Sequence, residues 1–146
     1  MTLQNLLAIQ RLLVFEASRD DIQRMLKAAE RNLADAKVDA ISDENRFDAA
    51  YKSIMQCAMC ALWANGYRTS TSQPGHHQTA IQSLALTIGS DKKTVVLLDS
   101  LRKQRNISDY DGDPVSPALV EEAVKQATTL LIALRSWLHA HRPNYD

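Results

Sequence analysis

The sequence predicts an all-α fold, an up-and-down bundle of five to six helices with no sheet. Hydrophobic residues make up 45% of the 146 residues, and most of them are Ala and Leu, which favour helices. Only four glycines and four prolines interrupt the chain, so it has few places to turn. Apolar residues also recur at the helical period along most of its length. A chain of this length is expected to fold as one domain with its own core.

Residues 1–17 are predicted to form an amphipathic helix ahead of a bundle that comprises residues 18–142. The segment lacks a basic start and carries several polar residues, so it resembles neither a signal peptide nor a membrane span. With no export signal and only two cysteines, a cytoplasmic location is expected. The apolar side chains that recur near helical spacing are Leu3, Leu6, Leu7, Leu13 and Val14.

Two helices are predicted to open the bundle. Ser18 and Asp21 form a capping-box pattern, and an apolar stripe follows them from Ile22 to Ala36. Ser42, with two acidic residues after it, is the predicted N-cap of a longer helix that ends near Gly66. This second helix is rich in alanine, so a neighbouring helix can approach it closely.

Shorter elements follow in the middle of the chain. Residues 68–75 are rich in Ser and Thr and are predicted to form a loop, and residues 76–88 a helix. Another helix is predicted after Asp91. It contains the β-branched residues Val95 and Val96, but a strand here would have no second strand to pair with.

The last helix has the clearest pattern. An Asp-Gly-Asp-Pro turn at residues 111–114 precedes it, Ser116 and Pro117 suit its first positions, and Pro143 follows its end. Its apolar residues step by four and three, as in a heptad seam, which indicates a long core-facing helix. These residues are Val120, Val124, Ala127, Leu131, Leu134 and Leu138.

No metal site and no cofactor is predicted. Cys57 and Cys60 form a C-x-x-C, but they fall in the middle of an apolar helix, where free cysteine packs as a small hydrophobe. We therefore predict that both are buried and unreactive. The four histidines lie near helix ends, outside any Glu-x-x-His pair of the kind that binds di-iron in bundles: His76, His77, His139 and His141.

The candidate functional site is the stretch Leu101–Asp111, which is expected to end a helix and to be partly exposed. The whole chain has 17 basic and 17 acidic residues, so a nucleic acid would have to bind a local patch. Guanidinium groups beside an amide and a phenol suit a phosphate or nucleotide, whereas the competing interpretation is a solvated helix face. The predicted catalytic residues are Arg105, Asn106 and Tyr110, and the predicted RNA- or nucleotide-binding residues are Arg102, Lys103, Asp109, His76 and His77.

The stretch Arg105-Asn-Ile-Ser-Asp-Tyr110, just before the last long helix of a small bundle, resembles the signature of HEPN domains. That signature is an Arg, a polar residue and, several positions later, a His. The resemblance extends over roughly Asp20 to Arg142. It implies an all-α fold that usually dimerises, with the Arg motifs of two subunits facing one cleft. It also implies metal-independent ribonucleases and toxins, often paired with a nucleotidyltransferase antitoxin.

In this resemblance Arg105 steadies the phosphate and Asn106 orients it, but Tyr110 stands where the nuclease members carry His. A phenol with a pKa near 10 is a poor general base at neutral pH. The sequence therefore predicts a HEPN-like homodimer that binds RNA or a nucleotide, with any endoribonuclease activity left open. The alternative is a structural or protein-interaction bundle. Burial of Arg105 and Tyr110 with partners in their own subunit would favour that alternative.

Overall fold

A computed structural model describes residues 1–146 and confirms the all-α class. Long helices dominate it, and two three-residue strands form the only sheet. The elements in chain order are α1 (Leu3–Ala8), β1 (Leu12–Val14), α2 (Arg19–Ala36), α3 (Asp43–Ala64), β2 (Tyr67–Thr69), α4 (His76–Gln82), α5 (Leu84–Thr87), α6 (Lys92–Asp111), α7 (Pro117–His141) and a short 3₁₀ helix (Pro143–Tyr145).

Helix α3 is the centre of the bundle. It packs against α2 and α7 and also contacts α4, α5, α6 and β2, so its side chains are buried on more than one face. Phe47, Ile54 and Leu62 are among the large buried side chains, and Ala58 and Ala61 between them let neighbouring helices approach closely. The alanine-rich pattern of the sequence is thus explained by a helix that is surrounded by others.

The predicted helix starts are confirmed. Ser18 Oγ accepts from the Asp21 backbone N–H at 3.1 Å, and Asp21 Oδ2 accepts from the Ser18 N–H at 2.9 Å, which completes the capping box. Ser42 and Ser116 cap α3 and α7 in the same way, through one hydroxyl each. These side chains satisfy N–H groups that have no partner within the helix.

The predicted helix at residues 1–17 is wrong beyond Ala8, and so is the prediction of no sheet. Helix α1 ends at Ala8, Gln10 adopts a positive φ of 64°, and β1 follows. Strand β1 pairs antiparallel with β2, which lies partly in the segment predicted as a loop, and Leu12 lies opposite Thr69. Each strand has only three residues, and its partner is far away in the sequence, so neither strand leaves a periodic signal.

The remaining helices follow the prediction with one break. Val95 and Val96 lie in α6, as the pairing argument predicted. The helix predicted for residues 76–88 divides into α4 and α5 at Ser83, whose hydroxyl donates to the Thr79 carbonyl at 2.6 Å. The Ser83 backbone N–H donates to the same carbonyl at 2.9 Å, so this oxygen accepts two hydrogen bonds from one residue. Back-bonding of this kind from a serine hydroxyl bends a helix, which suits a break at this position.

Cys57 and Cys60 are both fully buried, which confirms their place in the core. Burial raises the pKa of both thiols, that of Cys60 to about 12. Since the thiolate is the reactive form, we expect both to be slow to react in the folded protein. Rapid labelling by a thiol reagent under native conditions would contradict this prediction.

None of the helices combines the length and apolar character that a membrane span requires.

Candidate functional site

A cleft of about 320 Å³ lies between the start of α4 and the second half of α6. We call it the α4–α6 cleft. It brings together all of the predicted site residues except Lys103 and Asp109, although α4 and α6 are separated in the sequence. Its lining consists of Gly75, His76, His77, Gln78, Arg102, Arg105, Asn106 and Tyr110.

The two helices present these side chains for local reasons. On α6, Arg105 and Asn106 lie three and four positions after Arg102, and Tyr110 lies four positions after Asn106, so these lining residues share one face of the helix. On α4 the two histidines occupy the first turn, directly after Gly75, which adopts a positive φ of 78°. Arg11 donates to the Pro74 carbonyl at 3.3 Å and so ties the turn before α4 to the N-terminal segment. No pattern in the sequence indicates this contact.

Arg105 is held on three sides. Its Nε lies 3.0 Å from Asp109 Oδ2 and 3.4 Å from Asp48 Oδ1. Its guanidinium carbon lies 5.4 Å from the centre of the Tyr51 ring, in cation–π geometry. The side chain nevertheless remains 28% exposed, so part of the guanidinium faces the cleft.

Arg102 is arranged in the same way. Its Nε donates to Asp99 Oδ1 at 2.8 Å, and both side chains are mostly buried. In both arginines the intramolecular hydrogen bonds use Nε, and none uses an Nη atom. The paired Nη groups, which form a second donor edge of a guanidinium, make no hydrogen bond within the chain, and both arginines line the cleft.

Two predicted residues lie outside the lining. Lys103 is exposed and pairs with Asp99 at 3.8 Å, and Asp109 turns to Arg105. Together with Asp48, these carboxylates balance the three basic residues of this part of α6. The cleft therefore presents hydrogen-bond donors but carries little net charge. Long-range attraction of an anion to it should be weak.

His77 is tied to the core by a tyrosine. The hydroxyl of Tyr51, on α3, lies 3.2 Å from His77 Nδ1. Burial raises the pKa of Tyr51 to about 12, so the phenol stays protonated at neutral pH. Burial, followed by the nearby His76, Arg105 and Arg102, lowers the pKa of His77 below its ordinary 6.5. His77 is therefore neutral at pH 7.

Tyr51 and Asp48 were missed as site residues in the sequence. Tyr51 is buried within α3, and Asp48 precedes it by almost one turn. One signal was present, because a buried tyrosine hydroxyl needs a hydrogen-bond partner. The sequence does not say which residue supplies that partner.

Exposure separates the two interpretations of the α6 stretch only in part. Tyr110 is 84% exposed, so it is not buried as the structural alternative requires. Arg105 does have partners in its own chain, as the structural alternative requires. The unused Nη edge and the exposed phenol favour a ligand, while the Nε contacts hold the arginine in position for one.

The titration of His77 predicts a pH dependence of stability. A histidine whose pKa is lower in the folded than in the unfolded state binds fewer protons when folded, so stability is lost as the pH falls. We expect the melting temperature to drop between about pH 7.5 and about pH 5, and to drop less in His77→Gln. Thermal unfolding followed by circular dichroism would measure both slopes. Equal slopes would show that His77 is not the group responsible.

No group of three or more His, Cys, Asp or Glu side chains lies close enough together to hold a metal ion.

The sequence model of one family, described as HEPN domain, matches residues 22–137. A comparison with curated proteins finds no match. The matched region contains α3, α4 and α6, the helices that supply the cleft and the residues behind it.

Proposed function

Because this chain belongs to the HEPN domain family, we propose that the α4–α6 cleft binds the phosphate of single-stranded RNA or of a nucleotide. The observation that carries the proposal is the pair of guanidinium groups, Arg102 and Arg105, with their Nη edges unused. Two parallel N–H donors match two phosphate oxygens, and the carboxylates at Nε keep each fork from rotating.

The other lining side chains suit the remainder of a nucleotide. Tyr110 is exposed at the rim of the cleft and offers an aromatic face on which a base can stack. Asn106 supplies an amide beside Arg105 that can donate to a phosphate oxygen or to a sugar hydroxyl. Stacking needs an unpaired base, so the preferred ligand is single-stranded.

The test is equilibrium binding of a short fluorescent single-stranded RNA, with double-stranded RNA of the same sequence and ATP as competitors. We expect the labelled single strand to bind, and the duplex to compete only weakly with it for the cleft. Because few phosphates are contacted, affinity should fall only modestly with salt. Absence of binding to RNA and to nucleotides at low salt would leave the structural or protein-interaction bundle as the better account.

We also propose a homodimer, since HEPN domains commonly dimerise. Large apolar side chains remain exposed on several elements of the single chain, including Val14 on β1 and Val96 on α6. Such residues cost little singly but favour association where they cluster. Light scattering at high micromolar concentration would count against the dimer if it reported a monomer. A nucleotidyltransferase-type antitoxin partner stays a prediction from the resemblance.

A further inference from the structure

Two imidazoles line the cleft beside the two arginines. The ring centres of His76 and His77 lie 4.6 Å apart in an edge-to-face arrangement. They are the only lining groups whose ordinary pKa lies near neutrality, since the other lining groups are arginines, amides, a glycine and the phenol of Tyr110. The two histidines of α4 can therefore transfer protons in this cleft at neutral pH, whereas Tyr110 of α6 cannot.

Tyr51 determines how His77 is presented. The phenol is almost fully buried on the central helix and contacts Nδ1, so Nε2 is the ring nitrogen left for a ligand. The face of the same phenol ring lies against the Arg105 guanidinium. One buried side chain thus positions both a group that can accept a proton and a cation that can hold a phosphate.

We propose that His77 is the general base of an RNA-cleaving reaction in this cleft, with Tyr51 as its positioning residue and His76 as the acid. The proposal rests on the proposed RNA binding, and it moves the proton-transfer role from the α6 stretch to α4. It requires the tautomer in which Nδ1–H donates to the Tyr51 oxygen and Nε2 carries the lone pair.

The reaction needs no co-reactant. His77 Nε2 takes the proton of a ribose 2′-hydroxyl, and the 2′-oxygen attacks the adjacent phosphorus. The bond from phosphorus to the 5′-oxygen of the next nucleotide breaks, and that oxygen leaves with a proton from protonated His76. The products are a 2′,3′-cyclic phosphate and a 5′-hydroxyl. Arg102 and Arg105 would stabilise the charge that develops on the phosphate oxygens.

The surroundings of His77 suit a base. The groups that act on it are His76 beside it, Arg102 and Arg105 from α6 and the Tyr51 phenol from α3. Burial, followed by the neighbouring His76 and the two arginines, lowers the pKa of His77, so the imidazole is neutral and able to accept a proton at pH 7. Asp48 and Asp99, which would act in the opposite direction, are held at the Nε atoms of the arginines.

The experiment follows binding and cleavage separately, in EDTA, for wild type, His77→Gln, Tyr51→Phe and the control Arg31→Ala. Arg31 is an exposed arginine of α2, outside the cleft. The substrate is a short single-stranded RNA, and its 2′-deoxy counterpart lacks the nucleophile.

We expect cleavage of the RNA and not of the deoxy strand, with cyclic phosphate ends detected by mass spectrometry. His77→Gln should cleave the RNA about 100-fold more slowly than wild type, a loss much larger than any change in its RNA binding. Tyr51→Phe should lower kcat and leave KM unchanged.

Each outcome decides between the proposals. If wild type binds RNA but does not cleave it, the assignment of His77 as a general base is overturned and the binding proposal stands. If His77→Gln cleaves at the wild-type rate, or the deoxy substrate is cleaved, the role of His77 is likewise overturned. If wild type does not bind RNA at all, both proposals fail. Circular dichroism of each variant shows that a lost rate is not a lost fold, and the conservative Tyr51→Phe retains the buried ring.

Discussion

Replacing Arg105 with Ala is expected to weaken binding of single-stranded RNA by about 10- to 100-fold at fixed salt. A hydrogen bond to a charged group contributes about 1.5–3 kcal/mol, and about 1.4 kcal/mol corresponds to a tenfold change in affinity. The loss should be large because the cleft has little net charge to attract the ligand by other means. The variant also removes the side chain that packs on Tyr51.

The fold should survive this substitution. The partners of Arg105 are the partly exposed carboxylates of Asp48 and Asp109, and exposed ion pairs contribute about 0–1 kcal/mol to stability. Arg105→Lys keeps the charge but loses the planar fork, so an intermediate affinity would identify the two-pronged contact. Arg31→Ala is the matched control and should bind as wild type does. Equal affinity of Arg105→Ala and wild type would refute the assignment of the site.

Replacing Phe47 with Ala is expected to lower the free energy of unfolding by about 3–5 kcal/mol. Phe47 lies in the first turns of α3, is 1% exposed and belongs to the core that α3 shares with its neighbours. Truncation removes apolar area and leaves a cavity that close-packed helices can fill only in part. For a domain with about 5–15 kcal/mol of stability, this is a substantial fraction.

Urea unfolding followed by circular dichroism would measure the change, since the midpoint shifts with stability while the slope stays constant. Ile132→Ala is the control, because Ile132 also lies on a long helix but is 62% exposed. We expect its stability to stay within about 0.5 kcal/mol of wild type. A similar loss in both variants would show that Ile132 is covered in solution, as a dimer interface would require, whereas no loss in Phe47→Ala would contradict the core.

The candidate site was predictable where its residues follow one another. The α6 residues follow one another in a single stretch, so the sequence alone grouped them at the end of one helix. His76 and His77 were predicted as additional site residues, but their distance from Arg105 followed from no local pattern. Tyr51 and Asp48 were not predicted, because they reach the site only through the packing of α3 against α4 and α6.

The sequence by itself determined the helices, because the helical period, the caps Ser18, Ser42 and Ser116 and the few glycines act within a few residues of each other. Only the tertiary structure decided the pairing of β1 with β2, the break at Ser83 and the meeting of Tyr51 with His77 and Arg105. The strand pairing and the Tyr51 contacts join segments that are distant in the chain, and the break lies where the Ser83 hydroxyl bonds back to the Thr79 carbonyl. A periodic pattern records which face of a segment is buried, but it does not record which distant side chain lies against that face.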